Sequence, residues 1–384
     1  MPGIESRALN VEDLRGLARK RLPRGLFDYI DRGNEDDVAL RRNREALERI
    51  KLVPRALVDV SNRSQAVEVF GRKLVAPLGI APVGPAGHVW FEGELALARA
   101  ASRAGIPMIL SSAASTAMES VVRHGGQGPK WFQIYMSGDR ELSLATIERA
   151  ATAGFEVLVL TVDSILTSNR EFAIRSGFTI PFRPTPGNLL DFAGHPRWLL
   201  GTMGRYCIRG GMDRFPNYPI VDKKNPWNGK VAMKDVSLDW KVLALIRKLW
   251  QGPLVVKGIS DPRDAALCEQ HGVDGIVVSN HGAIMLDSSM APIELLPAVI
   301  AEVGGRMPVF IDGGFRRGTD VVKALALGAT AVFLGRATLF ALAAGGETGV
   351  AHALNLLRAE IDRTMGLLGC PTLGHLSREH AVIP

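Results

Sequence analysis

The chain has 384 residues, 47% of them hydrophobic and 22% charged, which is the make-up of an ordinary globular protein with material for a large core. No run approaches the roughly 18 consecutive apolar residues that a membrane-spanning helix needs. The net charge of +7 favours anionic partners, yet the basic residues are scattered and never interleaved with aromatics in one run, which argues for phosphates or acidic lipid and against nucleic acid.

At the N-terminus, Glu5, Glu12 and Asp13 mix with basic residues and the apolar stretch of a secretory signal is missing, so the expected location is cytoplasmic. Residues 1–75 show helical periodicity over Val11 to Lys20 and Asp36 to Leu47, which predicts an N-terminal helical cap. From residue 76 onward, eight β-rich runs alternate with amphipathic stretches. The runs are Ala76 to Val83, Pro107 to Ala113, Lys130 to Met136, Val157 to Asp163, Leu254 to Ile259, Gly275 to Asn280, Pro308 to Gly313 and Ala331 to Arg336. Helical spacing marks Glu92 to Ala104, Arg140 to Ala153, Leu238 to Trp250 and Thr319 to Leu327. This alternation predicts an α/β fold, a (β/α)8 TIM barrel over residues 76–367 within one domain of 1–384.

The connection after strand four, residues 164–237, is too long for a plain βα loop and falls on the face where barrels build their sites. Its aromatics (Trp198, Tyr206, Phe215, Tyr218, Trp227) lie among Arg197, Arg205, Arg209, Arg214, Lys223 and Lys224. A lid over the site is the favoured reading, since no clear amphipathic helix stands out; docking on the inner face of an anionic membrane is the alternative.

Read in order, the strand ends converge on one kind of ligand. Strand two closes on Ser111-Ser112, strand three on Gln133-Ile134-Tyr135, strand four on Thr161-Val162-Asp163, strand five on Lys257-Gly258 and strand six on Ser279-Asn280-His281-Gly282. Strand seven runs into Asp312-Gly313-Gly314-Phe315-Arg316-Arg317-Gly318 and strand eight into Gly335-Arg336. Glycine and arginine at the last two places match the position where barrels hold phosphate, and an inward lysine needs an anion or an electron-rich ring. A large polar cofactor bearing a phosphate accounts for so many polar strand ends. His281 is the one histidine placed for proton chemistry; His88, His124, His195, His271, His352, His375 and His380 read as structural. Cys207, Cys268 and Cys370 lack metal spacing, so reduced thiols are expected and no metal site.

These motifs, with Leu22-Pro23, Phe27-Asp28-Tyr29 and Trp131-Phe132-Gln133-Ile134-Tyr135, resemble the FMN-dependent 2-hydroxy-acid oxidase and dehydrogenase family over nearly the whole chain. The resemblance implies FMN, its phosphate held by Gly314, Arg316, Gly335 and Arg336 beside Asp312 and Gly313. Ser111, Gln133, Thr161, Lys257 and Ser279 would contact the ribityl chain and ring, and the backbone of Ala81, Pro82 and Val83 would run along the flavin. It implies His281 as base, Asp163 as its partner, Lys257 as stabiliser of the reduced ring, and Tyr29, Tyr135 and Arg170 as substrate ligands. A small-molecule substrate, an acceptor that is oxygen, a quinone or a redox protein, and a homotetramer are implied as well. Gly84 resembles the dehydrogenases more than the oxidases.

One departure stands out. Where the family has an arginine forking onto the substrate carboxylate, this chain has Ile284, and Met285 replaces the usual glutamine. Three accounts are open: a substrate larger and less anionic than lactate that lacks a free carboxylate (an ester, amide, lactam, neutral alcohol or amine, oxidised at a carbon bearing OH or NH2), which is favoured; a cation of the insertion such as Arg205 or Lys223 replacing the fork; or impaired catalysis. A conventional mandelate- or lactate-type enzyme and a non-catalytic FMN-binding protein are the alternative functions.

Overall fold

Eight short strands close into a barrel in the computed structural model, which describes residues 3–84, 86–178, 185–212, 216–217 and 234–383. We number them β1 (Leu78–Ile80), β2 (Met108–Ser111), β3 (Lys130–Ile134), β4 (Val157–Thr161), β5 (Leu254–Ile259), β6 (Gly275–Val278), β7 (Val309–Ile311) and β8 (Ala331–Leu334). All neighbours are parallel, and β8 returns to β1 with Val332 opposite Leu78. Each strand lies inside a predicted run. The runs extend further because their last polar residues leave the ladder and enter the loops at the C-terminal face.

Strand alternation divides the barrel interior into two floors. On β3 the inward set is Trp131, Gln133 and then Tyr135; on β4 it is Val157, Val159, Thr161 and Asp163; on β6, Val277, Ser279 and His281. The lower floor is an aromatic stack in which Trp131 lies 5.6 Å from Phe310 and 5.4 Å from Phe333 between ring centroids. A hairpin of Val67–Val69 and Arg72–Leu74 closes it from below, Phe70 at its turn lying 5.7 Å from Trp131. Every polar side chain of the upper floor is therefore carried on a packed apolar base.

The outer helices include Gly93–Ala104, Arg140–Ala153, Trp240–Leu249 and Gly318–Ala326, at the expected stretches. Residues 3–75 carry Val11–Arg21 and Val38–Arg49 as expected, and also Arg24–Asp31, which the periodicity does not announce. That short helix is held by burial of Leu26, Phe27 and Ile30 rather than by its own length. In the insertion, Glu171–Ser176, Pro186–Ala193 and a continuous helical run from Pro196 to Ile208 form where the sequence shows no clear amphipathic helix. Trp198 anchors it by donating to the His88 carbonyl at 2.7 Å, and Tyr206 by accepting the Glu92 amide at 2.9 Å. Leu189, Leu190, Leu200 and Ile208 remain exposed. Arg214, Phe215, Tyr218, Lys223, Lys224 and Trp227 lie outside the described residues. Among the described residues no helix is long and apolar enough to cross a membrane.

Candidate active site

The upper floor brings together side chains from β2 to β7. Ser111 Oγ donates to Gln133 Oε1 at 2.9 Å, which fixes the amide and leaves Gln133 Nε2 buried without a partner. Thr161 Oγ1 and Asp312 Oδ1 are also buried and unpartnered. Lys257 Nζ lies 3.0 Å from Asp312 Oδ2 and donates to Ser279 Oγ at 2.7 Å. Burial alone would lower the Lys257 ammonium, but Asp312 and Asp163 outweigh it and raise it, so this cation is permanent.

His281 follows β6 in the left-handed region, with φ 55°, and Gly282 and Ala283 continue there with φ 63° and 62°. Its backbone amide donates to Ser279 Oγ at 3.0 Å, and the turn aims the ring back across the barrel mouth. Nδ1 lies 2.8 Å from Asp163 Oδ1 and Nε2 lies 3.1 Å from Tyr135 Oη. A carboxylate only accepts, so Nδ1 carries the hydrogen, and in the neutral ring Nε2 presents its lone pair to the tyrosine hydroxyl. Burial pushes Asp163 up, but the charge of His281, the hydrogen bond from it and the charge of Lys257 together hold it below the ordinary carboxylate range. An ionised aspartate, an oriented imidazole and an unprotonated ring nitrogen form a proton acceptor with a built-in counter-charge.

At the edge of this cluster the Arg170 guanidinium stacks over Tyr29, 4.5 Å from its ring centroid, and over Phe172. Ile284 and Met285 are part-buried on the loop after His281, with Met285 Sδ 3.5 Å from Ser164 Oγ.

The far side of the floor is an anion cradle. Gly313 and Gly314 have φ of 99° and 89°, and a Cβ on Gly314 would lie 2.9 Å from the Asn43 carbonyl, so no other residue fits there. A Cβ on Gly335 would meet nothing closer than Val83 at 3.9 Å, so that side is open. Asp320 accepts from the Arg316 and Arg317 amides at 3.0 Å each and from Arg44 at 2.7 Å, which holds the loop but leaves the Arg316 guanidinium without a carboxylate. Burial, Arg336 and Arg44 push Arg316 down to about 9, and burial and Arg170 push Arg336 down to about 10. Such depression signals positive charge with too little negative charge beside it. Ala81 and Val83 lie buried in the loop after β1, the Ala81 amide bonded to Leu334 O at 3.0 Å, with Pro82 between them. Two starved arginines, a glycine cradle and three orphaned polar atoms suit a group with a phosphate at one end and a flat polar ring at the other, so the residues present fit FMN.

Some expectations change in detail. The Arg336 guanidinium donates to three carbonyls, those of Ile30 (2.9 Å), Gly282 (2.7 Å) and Arg32 (2.9 Å), which leaves two of its five N–H groups outside these bonds. Arg205, one suggested replacement for the missing fork, stacks on Phe91 at 4.0 Å, and Lys223 is outside the described residues. Sequence reasoning missed Ser164, Lys234 and the buried reciprocal pair Asn43–Asn280, with amide contacts of 3.0 and 2.8 Å. For Lys234 no spacing gave a signal; only the chain's return from the insertion brings it to the site.

Comparison with known proteins points the same way as this geometry. A family model described as FMN-dependent dehydrogenase matches residues 18–383. (S)-mandelate dehydrogenase of Pseudomonas putida is 42% identical over 97% of this chain and 93% of its own. Glycolate oxidase of Spinacia oleracea is 41% identical, covering 97% and 95%. A crystal structure of the monotopic membrane protein (S)-mandelate dehydrogenase superposes with a TM-score of 0.93 at 41% identity, covering 98% of this chain and 100% of that one.

Proposed function

Since the chain belongs to the FMN-dependent dehydrogenase family, with FMN as its cofactor, we propose that it oxidises the carbon–hydrogen bond beside the hydroxyl of a 2-hydroxy acid larger than lactate. The observation that carries this reading is the Asp163–His281–Tyr135 chain, held over a floor of FMN-type ligands.

When bound, FMN supplies the acceptor for the hydride equivalent that leaves the substrate carbon. His281 Nε2 receives the hydroxyl proton, and Asp163 holds the imidazolium that results. Tyr135, already 3.1 Å from Nε2, orients the substrate oxygen toward it. Lys257, whose ammonium is favoured by Asp312 and Asp163, would offset negative charge that builds on the cofactor when it is reduced. Gly314, Arg316, Gly335 and the open space beside Val83 would receive the phosphate end, with Ser111, Gln133, Thr161 and Ser279 along the ring and ribityl chain. Arg336, which also organises the backbone there, would join them at the phosphate. Arg170, its face on Tyr29, is a cation available to a substrate carboxylate.

Ile284 and Met285 favour a bulky, apolar substituent next to the reacting carbon. They also support a second reading, a substrate without a free carboxylate, since the usual guanidinium fork is missing. The exposed Leu189, Leu190, Leu200 and Ile208 of the insertion suit a protein that rests on a membrane and passes its electrons to a quinone or a redox protein there. We read the 384 residues as one functional domain, assembled as a homotetramer.

The deciding experiment is anaerobic bleaching of the purified yellow protein. Fast bleaching by aromatic 2-hydroxy acids and slow bleaching by lactate is the expected result. Faster bleaching by their esters and amides would favour the second reading. A flavin bleached by none of the hydroxy acids, esters, amides or amines would leave a non-catalytic FMN-binding protein.

A further inference from the structure

The chain returns from the insertion at Lys234, and its backbone there is firmly placed. Lys234 forms an antiparallel bridge with Ser137, just past β3, and the next amide, Asp235 N, donates to Met136 O at 2.9 Å. Asp235 is buried and held by Arg140 at 2.7 Å. The side chain then reaches inward. Its Nζ donates to Ser164 Oγ and lies 5.2 Å from the Tyr135 ring centroid. Ser164 is next to Asp163 and touches Met285, the neighbour of Ile284. The ammonium thus stands where the loops carrying Tyr135, Asp163 and His281 meet.

We propose that Lys234 supplies the positive charge missing at position 284, so that Lys234 and Arg170 together hold the carboxylate of the 2-hydroxy acid. This rests on the oxidation reading above and names the substrate class of that same site. Among the described residues no carboxylate lies within ion-pair distance of Lys234. Asp163, which attracts it, is already bonded to His281, although its second oxygen has no partner. Asp163 attracts Lys234 and Arg170 repels it, so Lys234 and Arg170 lie near enough at the mouth to act on one another. A part-buried ammonium whose one hydrogen-bond acceptor among the described residues is a hydroxyl is costly, and a substrate carboxylate offsets that cost. Ile284 and Met285 are the natural companions of such a lysine, because a guanidinium on their loop would add a third like charge.

A lysine differs from an arginine in one measurable respect. Burial, reinforced by Arg170 and only partly opposed by Asp163, holds Lys234 below the ordinary lysine range. The groups facing it are Asp163 and Ser164 after β4, Tyr135 after β3, His281 after β6, and Arg170. Carboxylate affinity is full while the ammonium is protonated and falls as pH rises through its lowered value, a limb that an arginine pair does not show.

The test uses the FMN-loaded enzyme and two readouts. Binding of phenylacetate, which cannot be oxidised at a hydroxyl, is followed by perturbation of the flavin spectrum; the preference for an aromatic 2-hydroxy acid over its methyl ester is followed by anaerobic bleaching. Lys234→Met should weaken phenylacetate by roughly 10- to 100-fold, lower the acid-to-ester preference by a similar factor and remove the alkaline limb. Lys234→Arg should keep the affinity and lose the limb. Unchanged phenylacetate affinity in Lys234→Met, or an acid and an ester weakened equally, would overturn the assignment. Failure of the oxidation reading is seen separately: the wild type would bind phenylacetate, with Lys234 mattering, and yet be bleached by neither acid nor ester.

Discussion

Replacing Asp163 by asparagine isolates the counter-charge of the proposed base from its geometry. The carboxylate oxygen lies 2.8 Å from His281 Nδ1, and both side chains are 15% exposed. With charge centres about 4 Å apart and an effective dielectric near 20, the ion pair formed as His281 takes the proton is worth roughly 4 kcal/mol. The amide oxygen of asparagine still accepts the Nδ1 hydrogen, which returns about 1 kcal/mol. The remaining loss of roughly 3 kcal/mol corresponds to about a hundredfold in rate. The assay is the limiting rate of anaerobic flavin reduction at saturating substrate, with flavin content measured in parallel. Because Asp163 Oδ2 has no hydrogen-bond partner, the new NH2 group would also be buried unsatisfied, costing about 1 to 3 kcal/mol of stability. A variant that keeps its FMN and reduces it within about threefold of the wild type would refute the role of Asp163 in holding the imidazolium.

The same geometry has other consequences. Arg316→Met should raise the dissociation constant for FMN by about a hundredfold, from loss of charge-assisted phosphate bonds, read as free flavin fluorescence on dilution. Ile284→Arg should not improve turnover of an aromatic 2-hydroxy acid while Lys234 is present, but should restore it in a Lys234→Met background; equal effects in both would show that the positions are independent. Serine at Leu189, Leu190, Leu200 and Ile208 together should abolish pelleting with anionic vesicles, since each exposed side chain would contribute about 1.5 to 3 kcal/mol when buried in lipid. Asp163 sits below its ordinary range, so its stabilisation is present above about pH 4 and is lost as pH falls through its lowered folded value. The melting temperature of the wild type should therefore fall more steeply with acid than that of Asp163→Asn, and parallel curves would count against the pairing.

What could be read from the sequence was whatever depends on strand period. Once eight strands are recognised, alternation alone puts Gln133, Thr161, Lys257, Ser279 and His281 on the inner face at one end, and the structure brings them together. The glycines after β7 were equally legible, since only glycine tolerates the approach of Asn43. Contacts made by chain return could not be read. Lys234 lies 97 residues after Ser137 in the numbering, in a stretch without hydrophobic periodicity, and only the bridge between them brings it to Tyr135. The helix Arg24–Asp31 is too short to announce itself and exists because its apolar face is buried. That Arg336 also ties distant backbone together could not be read from its place directly after a barrel strand. Its three carbonyl partners come from segments about 300 and about 50 residues earlier, which no local pattern records.

Those three carbonyls tie the start of the chain to the loop of the base. Arg336 clasps Ile30 and Arg32 with one side of its guanidinium and Gly282 with the other. Asn34 donates to Met285 O at 2.6 Å, and Asp287 accepts from the amides of Asp36, Val38 and Ala39 at 3.1 Å each. Beyond its local bonds to Ser279 and Asn280, the left-handed run from His281 to Ala283 gains these supports only when residues 30–39 and residue 336 are docked together. The proton acceptor should therefore be protected from amide hydrogen exchange in step with the first fifty residues, as one cooperative unit.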